Sequence, residues 1–350
     1  MFSQLSKSLS NGVRTLILVQ PLTTPLRLTQ TLLIKKQFSI TSTESSPSCS
    51  IHPSAIVHPG ALIGQDVSIG PFCTVGSNVK IGDGCQLYPG SHIFGDTEVG
   101  HRCVLMTGAV VGEDLPGSTI IGNNNFIGHH AVVGARCQDL KYKAGDECFL
   151  KVGDNNDIRE FTSIHRSSKS SDRTVIGDNN LVMGSSHIAH DCKVGNNNIF
   201  ANSTLLAGHV VVEDSAHTAG AIVVHQFCHI GSFAFVGGGS VVAQDVPKYM
   251  MVSGDRAQLC GLNSEGLRRH GFLSEEIRKM RIAYRKIFMA ACMIDHSCDK
   301  KLRPSLHISP LASVSASTKL RKLVVLDTAT SHRGLALESG IGSCPSSSPW

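Results

Sequence analysis

The stretch IGQDVSIGPFCTVGSNVKIGDGCQL, Ile63 to Leu87, repeats itself every six residues. An aliphatic side chain opens each hexad (Ile63, Ile69, Val75, Ile81, Leu87), and glycine follows the first four at once. An amphipathic helix would place apolar residues at i, i+3, i+4 and i+7. A fixed period of six instead marks a hexapeptide β-helix. Each hexad is then a short strand and a turn, with the aliphatic residue inward and Gly or Asn supplying the turn's backbone angles. One hexad cannot bury its own apolar face, so stability must come from stacking coil on coil.

The series extends from Ile51 to Val111 without a miss. It slips by four residues at EDLPGST (113–119) and resumes at Ile121, Ile127 and Val133. It breaks over ARCQDLKYKAGDECFLK (135–151), returns at Val152, Ile158 and Ile164, and breaks again at HRSSKSSDRT (165–174). From Ile176 it runs to Val242. The expected organisation is an all-β helix over 51–258, with loops at 134–151 and 165–175. A short α-helical segment over 259–295 and a divergent tail over 296–350 follow. The tail, Ser/Pro-rich and without helical period, reads as disordered.

The first 43 residues carry Lys7, Arg14, Arg27, Lys35 and Lys36 and no acidic residue. Acid-free, Ser-rich and basic, they read as an organelle transit peptide, for the mitochondrion first and the chloroplast second, joined by a linker at 44–50. Without them the +5 net charge of the chain falls to about zero, so nothing points to a nucleic-acid partner. No run of eighteen apolar residues exists, so no transmembrane segment is expected. Twelve cysteines without a CxxC pair read as small buried hydrophobes.

The hexads resemble those of the left-handed parallel β-helix acyltransferases, in which three hexads form one triangular coil. The resemblance implies the left hand and an eighteen-residue coil; about 29 hexads then give nine or ten coils. Residues eighteen apart stack. In SHIAHDCKVG (186–195), His190 therefore lies over Gly208 and Gln226, beside His209 and His225, with His187 three residues before the same corner. A solvated corner, a metal site and a general base with a carboxylate helper all fit histidines there. The HxxH spacing argues against metal, because on a strand residues three apart face opposite ways. Asp191, next in sequence, needs a corner conformation to reach His190.

QDLKY (138–142), HIAHDC (187–192), LAGHV (206–210), VHQFC (224–228), VAQDVP (242–247) and NSEGLRRHG (263–271) occur in one order. Together they resemble the UDP-N-acetylglucosamine acyltransferases over about 51–290. That family moves a 3-hydroxyacyl group from acyl carrier protein to the sugar 3-hydroxyl, the first step of lipid A synthesis. The resemblance implies His190 as general base, Asp191 as its orienting group and the Gly208 N–H as oxyanion donor. It implies substrate contacts from Asp139, Lys141, His187, His209, His225 and Gln226, and from Asn263, Glu265 and Arg269 on the nucleotide side. Gly238 falls where the family measures acyl length, and a glycine there predicts a long chain. The family works as a homotrimer with sites between subunits. It needs no metal and no bound cofactor, since the donor carries its phosphopantetheine on acyl carrier protein.

Phe272 to Ile294 reads as a helix with Ser274 as cap, and its basic residues, Arg278 and Arg285 among them, suggest a docking surface for the acidic carrier protein. Three other functions remain as alternatives. They are a related UDP-sugar N-acyltransferase, a zinc protein like the gamma carbonic anhydrases and a non-catalytic β-helix scaffold.

Overall fold

The computed structural model describes residues 49–289. The expected transit peptide 1–43, most of the linker, the part of the expected helical segment past 289 and the tail 296–350 lie outside the described residues. Twenty-nine strands, nearly all of two or three residues, precede a terminal hairpin and two helices. Every third strand belongs to the same sheet, and the strands stack parallel in three sheets. The architecture is the parallel β-helix that the hexads imply, with the left hand that the family resemblance implies. Sheet A starts at Ser50–Ile51, sheet B at Ile56–Val57 and sheet C at Leu62–Ile63.

The inward residue of each hexad closes the core, and from Ile69 to Val242 every aliphatic member of the series is buried. Ile51 is an exception at 45% exposure, because its strand lies in the first coil and has no described coil beneath it. Residue 218, the one polar member, is a threonine whose Oγ1 meets Thr204 Oγ1 at 2.8 Å, so no buried hydroxyl is stranded there.

A triangular coil of fixed edge cannot absorb extra residues within its strands. Successive rungs are offset by 18 residues in regular coils, but by 22, 31 and 24 in three consecutive ones. All the extra residues leave at the corner between sheets B and C. The first insertion separates Val110–Val111 from Gly117–Ile121, the second Val132–Ala135 from Cys148–Val152, and the third Ser163–His165 from Thr174–Ile176. The following coil is regular, and its B–C corner carries His190 and Asp191, between His187–Ile188 and Lys193–Val194.

The corner between sheets C and A is built otherwise. Asn125, Asn156, Asn180 and Asn198 turn inward there and stack. Each Oδ1 accepts the backbone N–H of the next rung at 2.8–2.9 Å, ending on Ala216. The residue before each asparagine has positive φ, near 55–58°, and is itself an asparagine, which tolerates that region.

Residues 259–262, expected in the helical segment, are strand: Gln258–Leu262 pairs antiparallel with Met250–Ser253 and closes the open edge of sheet A. Helix α1 (Ser264–Arg269) and helix α2 (Ser274–Tyr284) follow, α2 running into a π turn at Arg285–Met289. Leu273, not Ser274, is the N-cap of α2, and its amide donates to the Glu276 carboxylate at 2.8 Å.

Candidate active site

Asp191 has φ of +61°, the corner conformation that brings its carboxylate back onto its own neighbour. Its Oδ2 accepts from His190 Nδ1 at 2.8 Å, with the carboxylate fully buried and the imidazole 7% exposed. A buried carboxylate needs several donors, and the third insertion supplies them. The Ser168 hydroxyl donates to Oδ2 at 2.6 Å, and the Ser168 amide lies 3.1 and 3.2 Å from the two oxygens. The Asp191 amide donates to Thr174 Oγ1. His190 is thus held at Nδ1, while its Nε2 makes no hydrogen bond among the described residues. The nearest acidic group to Nε2 is Asp139 Oδ2 at 3.9 Å.

Asp139 comes from the second insertion, where the Lys141 amide donates to its Oδ1 at 2.9 Å. That bond comes first in holding the Asp139 carboxyl below its ordinary range, against partial burial and with help from the nearby His190. Lys141 itself is exposed. His209, one coil on and also at positive φ, brings Nε2 to 3.6 Å from Asp191 Oδ2 and lies edge-on to His190. Gly208 lies against the His190 ring; a Cβ there would stand 2.5 Å from Nε2, a collision that fixes the residue as glycine.

His187 does not join this group. Its Nδ1 meets Ser163 Oγ at 2.7 Å and its ring packs edge-on to His165. Burial first, then the neighbouring imidazoles, lower the pKa of both rings, and His165 is pushed down to about 4. Cys192 has its thiol pushed up to about 12 by burial, which leaves no nucleophile at that position.

The three insertions form one wall. The fully buried guanidinium of Arg166 donates to Thr119 Oγ1 at 2.9 Å, to Leu115 O at 3.3 Å and to Glu113 O at 3.1 Å, tying the third insertion to the first. Glu113 accepts from the Arg136 amide at 2.6 Å, tying the first to the second. Ser168, Thr174, Arg166 and His165 carry no role in the sequence reading. The signal was present: Ile164 falls 24 residues before Ile188 in the same column, so the residues after it open directly beneath the dyad.

The remaining expected contacts lie elsewhere. His225 and Gln226 are exposed one coil beyond, and Phe227, unremarked in the sequence, stacks on His209 at 4.6 Å. Asn263, Glu265 and Arg269 lie at the C–A corner. The Asn263 side chain caps α1 by accepting from the Gly266 amide, and also donates to Phe233 O. Glu265 pairs with Arg268 and Arg269. Gly238 lies at the A–B corner, where a Cβ would make ordinary contacts at 3.5 Å with Gly220 O and 3.7 Å with Ala219 Cβ. The expected substrate residues thus occupy three different corners of one prism. Between His187 and the corner of Gly238, the outer positions of sheet B are Leu205, Val223 and Val241, an apolar strip. No described outer position of sheet B is Asp, Glu, Lys or Arg, whereas sheet C presents Lys80, Glu98, Lys151 and Lys193 outward.

A hexapeptide β-helix with a buried His–Asp dyad beside an exposed apolar strip defines a hexapeptide-repeat acyltransferase. Residues 173–208 match the family described as bacterial transferase hexapeptide (six repeats). Residues 245–335 match Udp N-acetylglucosamine O-acyltransferase, domain 2, and residues 47–138 match the GMPPB C-terminal domain. The chain is 62% identical over 249 residues to a probable mitochondrial acyl-acyl-carrier-protein–UDP-N-acetylglucosamine O-acyltransferase of Arabidopsis thaliana, covering 71% of this chain and 74% of that one. The solved Arabidopsis UDP-N-acetylglucosamine acyltransferase superposes with a TM-score of 0.70 at 66% identity, over 79% of this chain and 91% of that one. An enzyme of the same name from Francisella novicida gives 0.62 at 32% identity, over 79% and 87%. This chain belongs to the UDP-N-acetylglucosamine O-acyltransferase family.

Proposed function

We propose that this chain transfers a 3-hydroxyacyl group from acyl carrier protein to the 3-hydroxyl of UDP-N-acetylglucosamine, the first step of lipid A synthesis. The observation that carries the mechanism is the His190 ring, fixed by Asp191 at Nδ1 and unpartnered at Nε2. A proton on Nδ1 donated to a carboxylate leaves the Nε2 lone pair free, which is the tautomer a general base needs. Nε2 takes the proton of the sugar hydroxyl, and the oxygen attacks the thioester carbonyl. The Gly208 N–H, which has no partner among the described residues, stabilises the oxyanion. As the tetrahedral intermediate collapses, the C–S bond breaks and His190 returns the proton to the departing phosphopantetheine thiolate. The sugar oxygen is the only nucleophile, so no acyl-enzyme forms and no bound cofactor takes part.

The 3-hydroxyacyl chain lies along Leu205, Val223 and Val241 toward Gly238, whose missing side chain suits a long chain. Asn263, Glu265 and Arg269, a corner away, bind the nucleotide of a site on a neighbouring copy. That separation and the uncharged outer ladder of sheet B, a surface suited to contact between copies, support a homotrimer. The name of the Arabidopsis relative supports residues 1–43 as a mitochondrial transit peptide.

The test is acyl transfer to UDP-N-acetylglucosamine from 3-hydroxyacyl carrier protein by purified protein. His190→Ala is expected to lower kcat/KM by about 10²–10⁴-fold with the β-sheet circular dichroism unchanged. Equal activity in the two proteins would remove His190 from the base role.

A further inference from the structure

Asp139, His190 and His209 each turn one ligand atom into the same space, and these atoms all lie within 4.8 Å of one another. Two imidazole nitrogens and a carboxylate oxygen are the donor set of many three-ligand zinc sites, which leave a fourth position open. We propose that this trio is a binding site for zinc or a similar transition-metal dication, and that its occupation switches the transferase off. The inhibitory role rests on the base assignment above; the binding site does not.

Three features of the trio favour a cation. First, the His190 side chain is 7% exposed, yet its Nε2 has no hydrogen-bond partner among the described residues. A nitrogen lone pair without a hydrogen bond, turned toward a carboxylate and a second imidazole, is an unmet ligand. Second, the other ring nitrogen already donates to Asp191 at 2.8 Å. A carboxylate behind a metal-bound imidazole orients the ring and raises its basicity. Third, two carboxylates, Asp139 and Asp191, flank two imidazoles, so a dication meets compensating negative charge.

The geometry needs a contraction of the trio, whose ligand atoms lie within 4.8 Å of one another. Tetrahedral zinc with bonds of about 2.0–2.1 Å sets its ligands roughly 3.3 Å apart. Asp139 Oδ2 lies 3.9 Å from His190 Nε2. Asp139 is on the inserted loop and half-buried, so rotation of its side chain can shorten that distance while the dyad stays in place. The HxxH pair plays no part, since His187 is turned to Ser163. The second insertion therefore converts a proton-transfer dyad into a chelate.

The metal and the sugar hydroxyl need the same Nε2 lone pair, so they exclude each other. Zinc is expected to raise the apparent KM for the UDP-sugar without lowering kcat at saturation, and a chelator is expected to restore the rate. Binding is measured separately on chelator-stripped full-length protein by titrating cobalt(II), whose visible d–d bands report tetrahedral coordination, and displacing it with zinc. One cobalt per chain with tetrahedral bands is expected. Asp139→Asn and His209→Gln are each expected to weaken binding at least about tenfold. No tetrahedral bands, or bands of equal affinity in both variants, would overturn the site. Metal-free protein that lacks transferase activity yet still binds cobalt through the trio would overturn the function and leave the site standing.

Discussion

The B–C and C–A corners of the prism use one turn for opposite ends. Both put a residue at positive φ and bury polar side chains beside an aliphatic core. At the C–A corner, Asn125, Asn156 and Asn180 pass each acceptor to the next rung, so the polarity is spent on stacking. At the B–C corner, Asp191 collects Ser168 and His190, but His190 Nε2 is left over. Burial of polar groups is therefore no mark of function in this fold. Unused hydrogen-bonding capacity is no mark either, since Asn198 Nδ2 at the C–A corner is buried without a partner among the described residues. What sets the B–C corner apart is a carboxylate-held imidazole whose outer nitrogen faces Asp139 and His209.

Breaking each corner should show the difference. Asp191→Asn removes the carboxylate that sets the His190 tautomer, and kcat/KM is expected to fall on the order of 10³-fold with little change in urea midpoint. Asn156→Ala is expected to do the reverse. It strands the Asn180 amide and side-chain N–H groups, which donate to Asn156 Oδ1 at 2.9 and 3.0 Å. The expected loss is about 2–4 kcal/mol in urea unfolding, with kcat/KM per folded molecule unchanged.

Acid sharpens the comparison, because the four inward asparagines themselves carry no titratable group. His165, next to the reactive corner, has its folded pKa pushed down to about 4, by burial first and then by His187 and His190. The unfolded chain protonates this residue near 6.5 and the folded one does not, so stability is full above that pH and falls as pH drops toward 4. The expected loss at pH 4 is on the order of 3 kcal/mol, and His165→Gln should flatten that part of the stability–pH curve. The smallest effect belongs to Ser168→Ala. The Ser168 amide still reaches Asp191, so only the hydroxyl bond of 2.6 Å is lost. A fall of about tenfold in kcat/KM is expected, with unchanged KM for the carrier protein.

The period of six made the prism legible before any coordinates, because a stacked coil repeats its environment and hence its residue type. The same arithmetic placed His190, Gly208 and His209 together. What it could not show was side-chain direction inside the interruptions. Nothing periodic fixes where Ser168 or Arg166 points, and each acts through a single hydrogen-bond geometry. The reach of Asp191 to His190 depended on one positive φ at a non-glycine residue. Asn263 illustrates the opposite difficulty. Its motif suggests a ligand contact, while its side chain already caps a helix.

Arg166 has a consequence for how substrate meets the site. Its guanidinium joins the first and third insertions from inside, and Glu113 joins the first to the second. Loops so cross-braced have given up their freedom when the chain folds, not when a ligand arrives. The anchored part of the wall behaves as a mould cast in advance, and the sugar and acyl chain must conform to it. Selectivity then comes from the shape of the mould, and a change of substrate range calls for recasting several braces at once.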